Sequence, residues 1–341
     1  MVTRVAVVGG AGYIGGDLIR ILLGHPEVEL VAATSRSLAG RRVDGAHPNL
    51  RGLTDLAFVE PERLSRCDVL FTAVPHRESM GQLSRFAGLT DLLIDLSGDF
   101  RLRDPEVFAA YYGAAHTAPG ELDSFTPGLP ELHRKKLAGA DRVSVPGCMA
   151  TAAILALHPA VADDLVTGEV TVDARTGSSG SGISAGPENL HAERSGALRV
   201  FAPHGHRHEA EIAQATGLPV RMTATGVEAV RGVQVLCRVA LADGVDERTL
   251  RASYRRHYAE EPFVRVVAQK RGRYRYPEPK LLSGSNFCDV GFAVDPGNRH
   301  ALLIGALDNL VKGGGGGAVQ SMNVRMGWPE RTGLGFPGLH P

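Results

Sequence analysis

"RVAVVGGAGYIGGDLIRILLGHP" (4–26) decides the fold. Its first seven residues are a short apolar run rich in valine that ends at glycines, the pattern of a strand buried in a parallel sheet. "GDLIRILLGHP" (16–26) then carries apolar residues at helical spacing and stops at Gly24 and Pro26. Between them "GGAGYIG" (9–15) sets glycines at 9, 12 and 15. Glycines so spaced permit a tight turn, close approach of a pyrophosphate to the main chain, and close packing of helix on strand. The strand before and the helix after supply the context that separates a dinucleotide-binding turn from a plain tight turn.

Working outward, "VELVAATS" (28–35), "DVLFTAV" (68–74) and "LLIDLS" (92–97) are further strand-like runs. Strands alternating with helical stretches predict an α/β fold with a Rossmann-type doubly wound parallel sheet. From about residue 165 the texture changes: "EVTVDART", "VRMTATG", "GVQVLCRVAL" and "ALLIGALDN" follow one another with few helices between. They predict a second, α+β domain with a mostly antiparallel sheet. A last helix is expected from about Ala318. The expected division is a nucleotide-binding domain over 1–148, completed by 310–341, and a catalytic, substrate and oligomerisation domain over 149–309.

Composition narrows the function classes. The 341 residues are 43% hydrophobic and 22% charged, with Lys+Arg and Asp+Glu both 37, so neither nucleic acid nor an anionic membrane is an expected partner. No apolar run approaches a bilayer span and no secretory leader is visible, so a cytoplasmic protein is expected. Cys67, Cys148, Cys237 and Cys288 are scattered without a CxxC pair, which suggests neither a zinc site nor a disulfide framework.

"RVSVPGCMATAAILALHP" (142–159) places Cys148 directly before a helical run. A thiol there is either a small buried hydrophobe or a nucleophile whose pKa the helix dipole lowers. In "PHGHRHEAE" (203–211), His204, His206 and His208 alternate, so on an extended segment all three would face one way. An acid/base beside a thiolate suits them better than a metal, since no further ligand motif stands near and none is expected elsewhere. "TSRS" ends the second strand with Ser35, Arg36 and Ser37, where an NAD site usually has an acidic residue; an arginine flanked by hydroxyls suits a 2′-phosphate and favours NADP(H). Arg101 in "DLSGDFRL" (95–102) lies at the carboxyl end of a strand, fit for an anionic substrate or for an ion pair with Asp99 or Asp104. "RTGSSGSGISAG" (175–186) and "VKGGGGG" (311–317) read either as flexible joints or as glycine walls allowing close approach.

"GGAGYIGG", "DLSGDFRL", "GLPEL", "PGCMATA", "HRHEAE" and "DNLVKG", in this order, resemble the N-acetyl-gamma-glutamyl-phosphate reductases and their lysine-pathway relatives, in the aspartate-semialdehyde dehydrogenase-like superfamily. "HPNLRG", "FAPHGHRHEAE", "VRGVQV" and "NVRMGWPE…LGFPGLHP" resemble the branch acting on an amino-group carrier protein, the LysW-aminoadipyl-phosphate reductases. Two stretches depart from the arginine-pathway pattern: "TATGVEAVRGV" lacks its Pro-His and Pro-Met, and Gly-Cys-Met-Ala-Thr-Ala stands where that branch has Gly-Cys-Tyr-Pro-Thr-Ala.

The resemblance implies NADPH-dependent reduction of an N-blocked, carrier-linked aminoadipyl or glutamyl phosphate to its semialdehyde plus phosphate, through a thioester on Cys148. It makes His208 the acid/base, with His206 the rival. Tyr13 and its turn (Gly9, Ala11, Gly12, Ile14, Gly15), Ser35, Arg36, Ser37, Gly182 and Asn309 become cofactor contacts; Ser97, Arg101 and Glu131 fall to the substrate pocket. It further implies a small acidic carrier protein as partner and a homodimer or homotetramer. A basic rim for that carrier would come from Arg194, Arg199, Arg207 and "QKRGRYRYPEPK" (269–280). The competing readings are the arginine-pathway reductase and a dinucleotide-binding sensor without turnover.

Overall fold

Thr3–Val8 forms the first strand, buried at all but one position, and the helix that follows begins at Tyr13, three residues earlier than its apolar spacing suggests. Gly15 and Gly16 lie inside this helix because close packing, not helix propensity, selects them there: a Cβ at Gly15 would stand 2.3 Å from the Gly9 carbonyl oxygen. The computed structural model describes residues 2–184, 186–295, 297 and 299–340.

In chain order the elements are β1 (Thr3–Val8), α1 (Tyr13–Leu23), β2 (Val28–Ala33), α2 (Val43–Ala46), β3 (Val69–Thr72), α3 (Leu83–Gly88), β4 (Leu92–Asp95) and α4 (Pro105–Tyr112). Next come β5 (Thr126–Pro127), α5 (Pro130–Leu137), β6 (Arg142–Ser144), α6 (Cys148–Ala162), β7 (Val166–Thr176), α7 (His191–Arg194), β8 (Arg199–Ala202) and α8 (Arg207–Thr216). The chain continues through β9 (Val220–Gly226), β10 (Val233–Leu241), α9 (Glu247–Tyr258), β11 (Val264–Val266), β12 (Cys288–Asp295), β13 (His300–Leu307) and α10 (Gly316–Met326).

Two compact units result, one running to Pro146 and including Gly314–Gly335, the other Gly147–Gly313 with a short C-terminal stretch from Phe336. The first holds a six-stranded sheet in the order β2-β1-β3-β4-β6-β5, every neighbouring pair parallel. β1, β3 and β4 are central and read as continuous apolar runs, as strands covered on both faces must. The expected Rossmann-type sheet is therefore present. α10 belongs to this unit, and Gly315 lies against Leu18 of α1, where a Cβ would come within 3.2 Å of the Leu18 backbone.

The second unit holds a seven-stranded sheet, β11-β12-β13-β10-β7-β9-β8. Its pairs are antiparallel except β11–β12 and β7–β9, so the sheet is mixed with an antiparallel majority, as the strand-rich texture predicts. β10 alternates buried with partly exposed residues, showing one face packed and one open. The packed face lies against α6, whose residues from Met149 to Leu157 are all buried; a helix apolar on every side belongs in a core. Pro159 inside α6 cannot donate to the Leu155 carbonyl, and the Tyr258 hydroxyl from α9 donates to that oxygen instead at 2.6 Å. The fit of α6 on the sheet is close at Gly305, where a Cβ would fall 2.3 Å from the Ala152 carbonyl oxygen.

Gly305→Ala is therefore expected to lower the thermal unfolding temperature, at a cost of about 1–3 kcal/mol for forcing backbone apart in a packed core. Gly139→Ala, where a Cβ meets nothing within 4 Å, should leave it nearly unchanged. Calorimetric scans of the two variants compare them directly.

Candidate active site

Cys148 is the first residue of α6, and Gly147 is its N-cap with extended backbone (φ −65°, ψ 150°) and no side-chain cap. The backbone there would accept any residue; what demands glycine is the neighbour. A Cβ at 147 would stand 2.0 Å from Nε2 of His208, so the imidazole rests directly on the Gly147 backbone. The Gly147 N–H donates to Oε2 of Glu211 at 2.8 Å, and Oε1 of Glu211 lies 3.8 Å from His208 Nε2. Glu211 and His208 are both buried. Cysteine, imidazole and carboxylate are thereby linked through one glycine peptide.

The histidine segment is not extended. His204 is exposed, His206 is the N-cap of α8, and His208 lies in its first turn. The expectation of three histidines facing one way is corrected: helix capping takes over at His206, whose Nδ1 accepts the His208 N–H at 3.2 Å. The His206 and His208 rings meet edge to face with centroids 4.6 Å apart. With His208 in a helix, position 211 falls on the same face, which is why Glu211 reaches the site. A second buried carboxylate, Glu209, accepts the Met222 N–H at 2.9 Å and ties α8 to β9.

A further wall comes from the chain after β13. A Cβ at Gly313 would lie 2.4 Å from the Cys148 Cβ, and the Gly313 N–H donates to the Asp308 carbonyl at 3.0 Å. Asn309 is buried, its amide oxygen accepting the Gly232 N–H at 2.8 Å and its nitrogen donating to Ser179 Oγ at 2.9 Å. Asn309 thus braces the Ser178–Ser181 turn; Gly182 follows that turn, exposed, at φ +80°. In the other glycine-rich stretch Gly177 is a close contact, since a Cβ there would stand 2.6 Å from the Val230 carbonyl oxygen, whereas a Cβ at Gly182 would meet nothing within 4 Å. Ala185 lies outside the described residues.

The four cysteines differ sharply. Cys148 is half-buried, whereas Cys67, Cys237 and Cys288 are buried. Burial pushes the Cys67 thiol up to about 11 and the Cys237 thiol up to about 12, which leaves them inert near neutrality.

In the first unit, Gly9 adopts φ +81°, and a Cβ there would stand 2.4 Å from the Ala73 carbonyl oxygen. Its N–H donates to Thr34 Oγ1 at 3.4 Å, while Gly10 N–H donates to the Thr34 carbonyl at 2.9 Å. Gly12 caps α1 without a side-chain bond and the first turn carries no acidic residue, so its N–H groups suit an anion. Tyr13 is exposed. Thr34 anchors the turn beside Ser35, Arg36 and Ser37; Ser35 Oγ accepts the Leu38 N–H at 3.2 Å, and Arg36 is solvent-facing, 3.5 Å from Glu78. A small-residue cradle at a helix start, with an exposed arginine after β2, fits a dinucleotide bearing a 2′-phosphate.

The remaining expected residues lie elsewhere in this unit. Ser97 is buried and donates to Asp95 Oδ2 at 2.6 Å, while Thr72 holds the other oxygen at 2.6 Å. Burial pushes the Asp95 carboxyl up to about 6 against the pull of these hydroxyls. Arg101 donates from Nε to the Val145 carbonyl at 2.8 Å and from Nη2 to the Leu96 carbonyl at 2.9 Å. It braces the strand end that runs into the Pro146-Gly147-Cys148 corner. Glu131, in the first turn of α5, accepts from Gln320 of α10 at 3.0 Å.

The "Semialdehyde dehydrogenase, NAD binding domain" model matches 4–140 and the "Semialdehyde dehydrogenase, dimerisation domain" model matches 148–309. The chain belongs to the semialdehyde dehydrogenase family and is an oxidoreductase. It is 47% identical, over 100% of both chains, to a Thermomicrobium roseum protein provisionally named LysW-L-2-aminoadipate 6-phosphate reductase. It is 44% identical to the Deinococcus radiodurans LysW-L-2-aminoadipate 6-phosphate reductase, over 99% of this chain and 98% of that one. The fold is shared with aspartate semialdehyde dehydrogenase II of Vibrio cholerae (TM-score 0.72, 15% identity, 96% and 98% of the two chains).

Glu211 and Gly313 are the site residues that motif reading passes over. Glu211→Ala should lower kcat/KM by about a hundredfold, since the histidine loses its orienting carboxylate. Glu211→Gln, whose amide oxygen still accepts the Gly147 N–H, should recover part of that loss in steady-state assays.

Proposed function

We propose that the protein reduces a carrier-linked aminoadipyl or glutamyl phosphate to its semialdehyde, with release of phosphate, using NADPH and a thioester on Cys148. The observation that carries this reading is the Cys148–His208–Glu211 linkage through the Gly147 peptide. The relatives' names supply the substrate class: the Deinococcus protein is named for LysW-linked aminoadipate phosphate, the Thermomicrobium protein provisionally so, and a Pyrococcus horikoshii relative provisionally for the aminoadipate or glutamate form.

His208 takes the thiol proton, and the sulfur attacks the acyl carbon; a C–S bond forms as the C–O bond to phosphate breaks, and phosphate departs with that electron pair. The first-turn N–H groups of α6, left without a side-chain cap, favour negative charge on the carbonyl oxygen during this displacement. The reduced nicotinamide, when bound, supplies the hydride that brings the acyl carbon to the aldehyde level. His208 donates a proton to the oxygen on that carbon and takes it back as the C–S bond breaks, a role worth about 10²–10⁴-fold. His206 serves as the cap that sets His208 rather than as the acid/base, because its Nδ1 is engaged with the His208 main chain. Glu211, 3.8 Å from His208 Nε2, orients the imidazole. The Gly9–Gly15 turn would hold the pyrophosphate and Arg36 the 2′-phosphate.

A small acidic carrier as the substrate's bearer accords with the exposed Lys270, Arg271, Arg273 and Arg275. We read the open face of the second sheet as the surface for a homo-oligomer, consistent with the dimerisation-domain match. Among the described residues no helix is long and apolar enough to cross a membrane.

Cys148→Ser is expected to bind NADPH as the parent does and to lose turnover by at least about 10³-fold; retained turnover would reject the thioester. Arg36→Asp should raise the KM for NADPH by about tenfold or more while changing that for NADH little. Run in reverse with NADP and phosphate, the enzyme should oxidise a carrier-linked aminoadipate semialdehyde far faster than the free N-acetylated glutamate semialdehyde, with a rate that falls steeply as salt rises. Equal rates for the two substrates would assign the arginine-pathway reaction instead.

A further inference from the structure

The "HPNLRG" stretch has no part in the chemistry above, yet its histidine is built into the glycine turn. His47 Nε2 lies 2.8 Å from the Gly10 carbonyl oxygen. A carbonyl only accepts, so Nε2 carries the proton. The ring occupies the space left by Gly16: a Cβ at Gly16 would lie 2.4 Å from His47 Cε1 and 2.6 Å from Nδ1. Phe58 meets the imidazole edge to face at 6.3 Å, and the same phenyl ring would be 3.2 Å from a Cβ at Gly10. The histidine is itself held by its own main chain, with His47 N–H bonded to Val43 O at 2.9 Å and Leu50 N–H to His47 O at 2.9 Å. Leu50 is buried.

Gly10 is therefore gripped from both sides of its backbone. Its N–H is held by Thr34 at the end of β2, and its carbonyl by His47. The peptide following Gly10 leads directly into Ala11-Gly12 and the start of α1, whose N–H groups make the anion site. Without the His47 bond, the Gly10 carbonyl loses its side-chain partner and the glycine-rich turn gains freedom that a bound dinucleotide must remove.

We infer that His47 is a positioning residue for the dinucleotide turn, its Nε2–H fixing the Gly10 carbonyl and its ring filling the notch opposite Gly16. The inference rests on reading Gly9–Gly15 as the dinucleotide site, and the test separates the two. The full chain is titrated with NADPH by fluorescence, without substrate, and its melting temperature is recorded in parallel. His47→Ala should raise the Kd for NADPH by about five- to tenfold, the worth of one hydrogen bond plus its share of ordering. His47→Gln, whose Nε2 can donate from nearly the same place, should stay within about twofold of the parent. Gly16→Ala should weaken binding because the methyl displaces the imidazole. In the double variant Gly16→Ala/His47→Ala the losses should not add, since the added methyl then meets an empty notch.

Parental affinity in His47→Ala, equal weakening in His47→Ala and His47→Gln, or additive losses in the double variant would each overturn the role of His47. Should His47→Ala fail to fold, Gly16→Ala decides alone, and parental NADPH affinity in it overturns the inference. A parent protein that does not bind NADPH removes the dinucleotide reading and this inference with it. A parent that binds while all variants bind equally removes only the inference.

Discussion

The missing side chain at residue 147 is the constraint on which the site depends. One methyl group there would occupy the space of the His208 imidazole, 2.0 Å from Nε2, and the peptide N–H of the same residue is held by Glu211. Three requirements meet in that glycine: it ends the approach from β6, caps α6, and lets an imidazole come within contact of the residue before the cysteine. α6 itself is immobilised by burial along its length and by the α9 tyrosines. The hydroxyls of Tyr254 and Tyr258 donate to the Ala156 and Leu155 carbonyls around Pro159. The sulfur at the head of this helix is placed by the core rather than by a surface loop, which suits the proposed role, since such chemistry tolerates little misalignment.

Two close glycine contacts shape this unit, one of them directly on the cysteine. Gly313 lets the chain after β13 press on the Cys148 Cβ, and Gly177 lets the serine turn press on the Val230 carbonyl. The buried amide of Asn309 bonds that turn to Gly232. The nucleotide-binding unit uses the same device, with Gly9 and Gly15 packed onto carbonyl oxygens. In both units glycine is selected for the backbone or ring that lies where its side chain would be.

Much of this was legible in the residues, for reasons that differ by element. β1 and α1 were readable because a valine-rich run, three spaced glycines and a helical apolar stripe all agree on one structure. The position of Cys148 at a helix start was readable from Pro146-Gly147 and the alanine-rich run behind it. The glycine stretches at 175–186 and 311–317 stayed ambiguous, since composition cannot distinguish a loose joint from a tight contact; only the atoms opposite each glycine do. The histidine segment misled because alternation has the period of a strand, whereas His206 turns out to begin a helix. Once the helix is known, Glu211 follows from its three-residue spacing to His208. Ser97 and Arg101 showed as polar residues at a strand end; their bonds to Asp95 and to the Leu96 carbonyl are local, but the Arg101 bond to the Val145 carbonyl is tertiary and leaves no local mark.

The account turns on whether the acyl group is ever bonded to the sulfur of Cys148. Intact-mass and peptide-mapping spectrometry of the protein mixed with carrier-linked aminoadipyl phosphate, without reduced nucleotide, would detect that bond. The account predicts a single acyl-carrier adduct on the Cys148 peptide, with none on Cys67, Cys237 or Cys288, that disappears on adding NADPH as semialdehyde forms. Semialdehyde formed on NADPH addition by a protein that shows no adduct at Cys148 would contradict it.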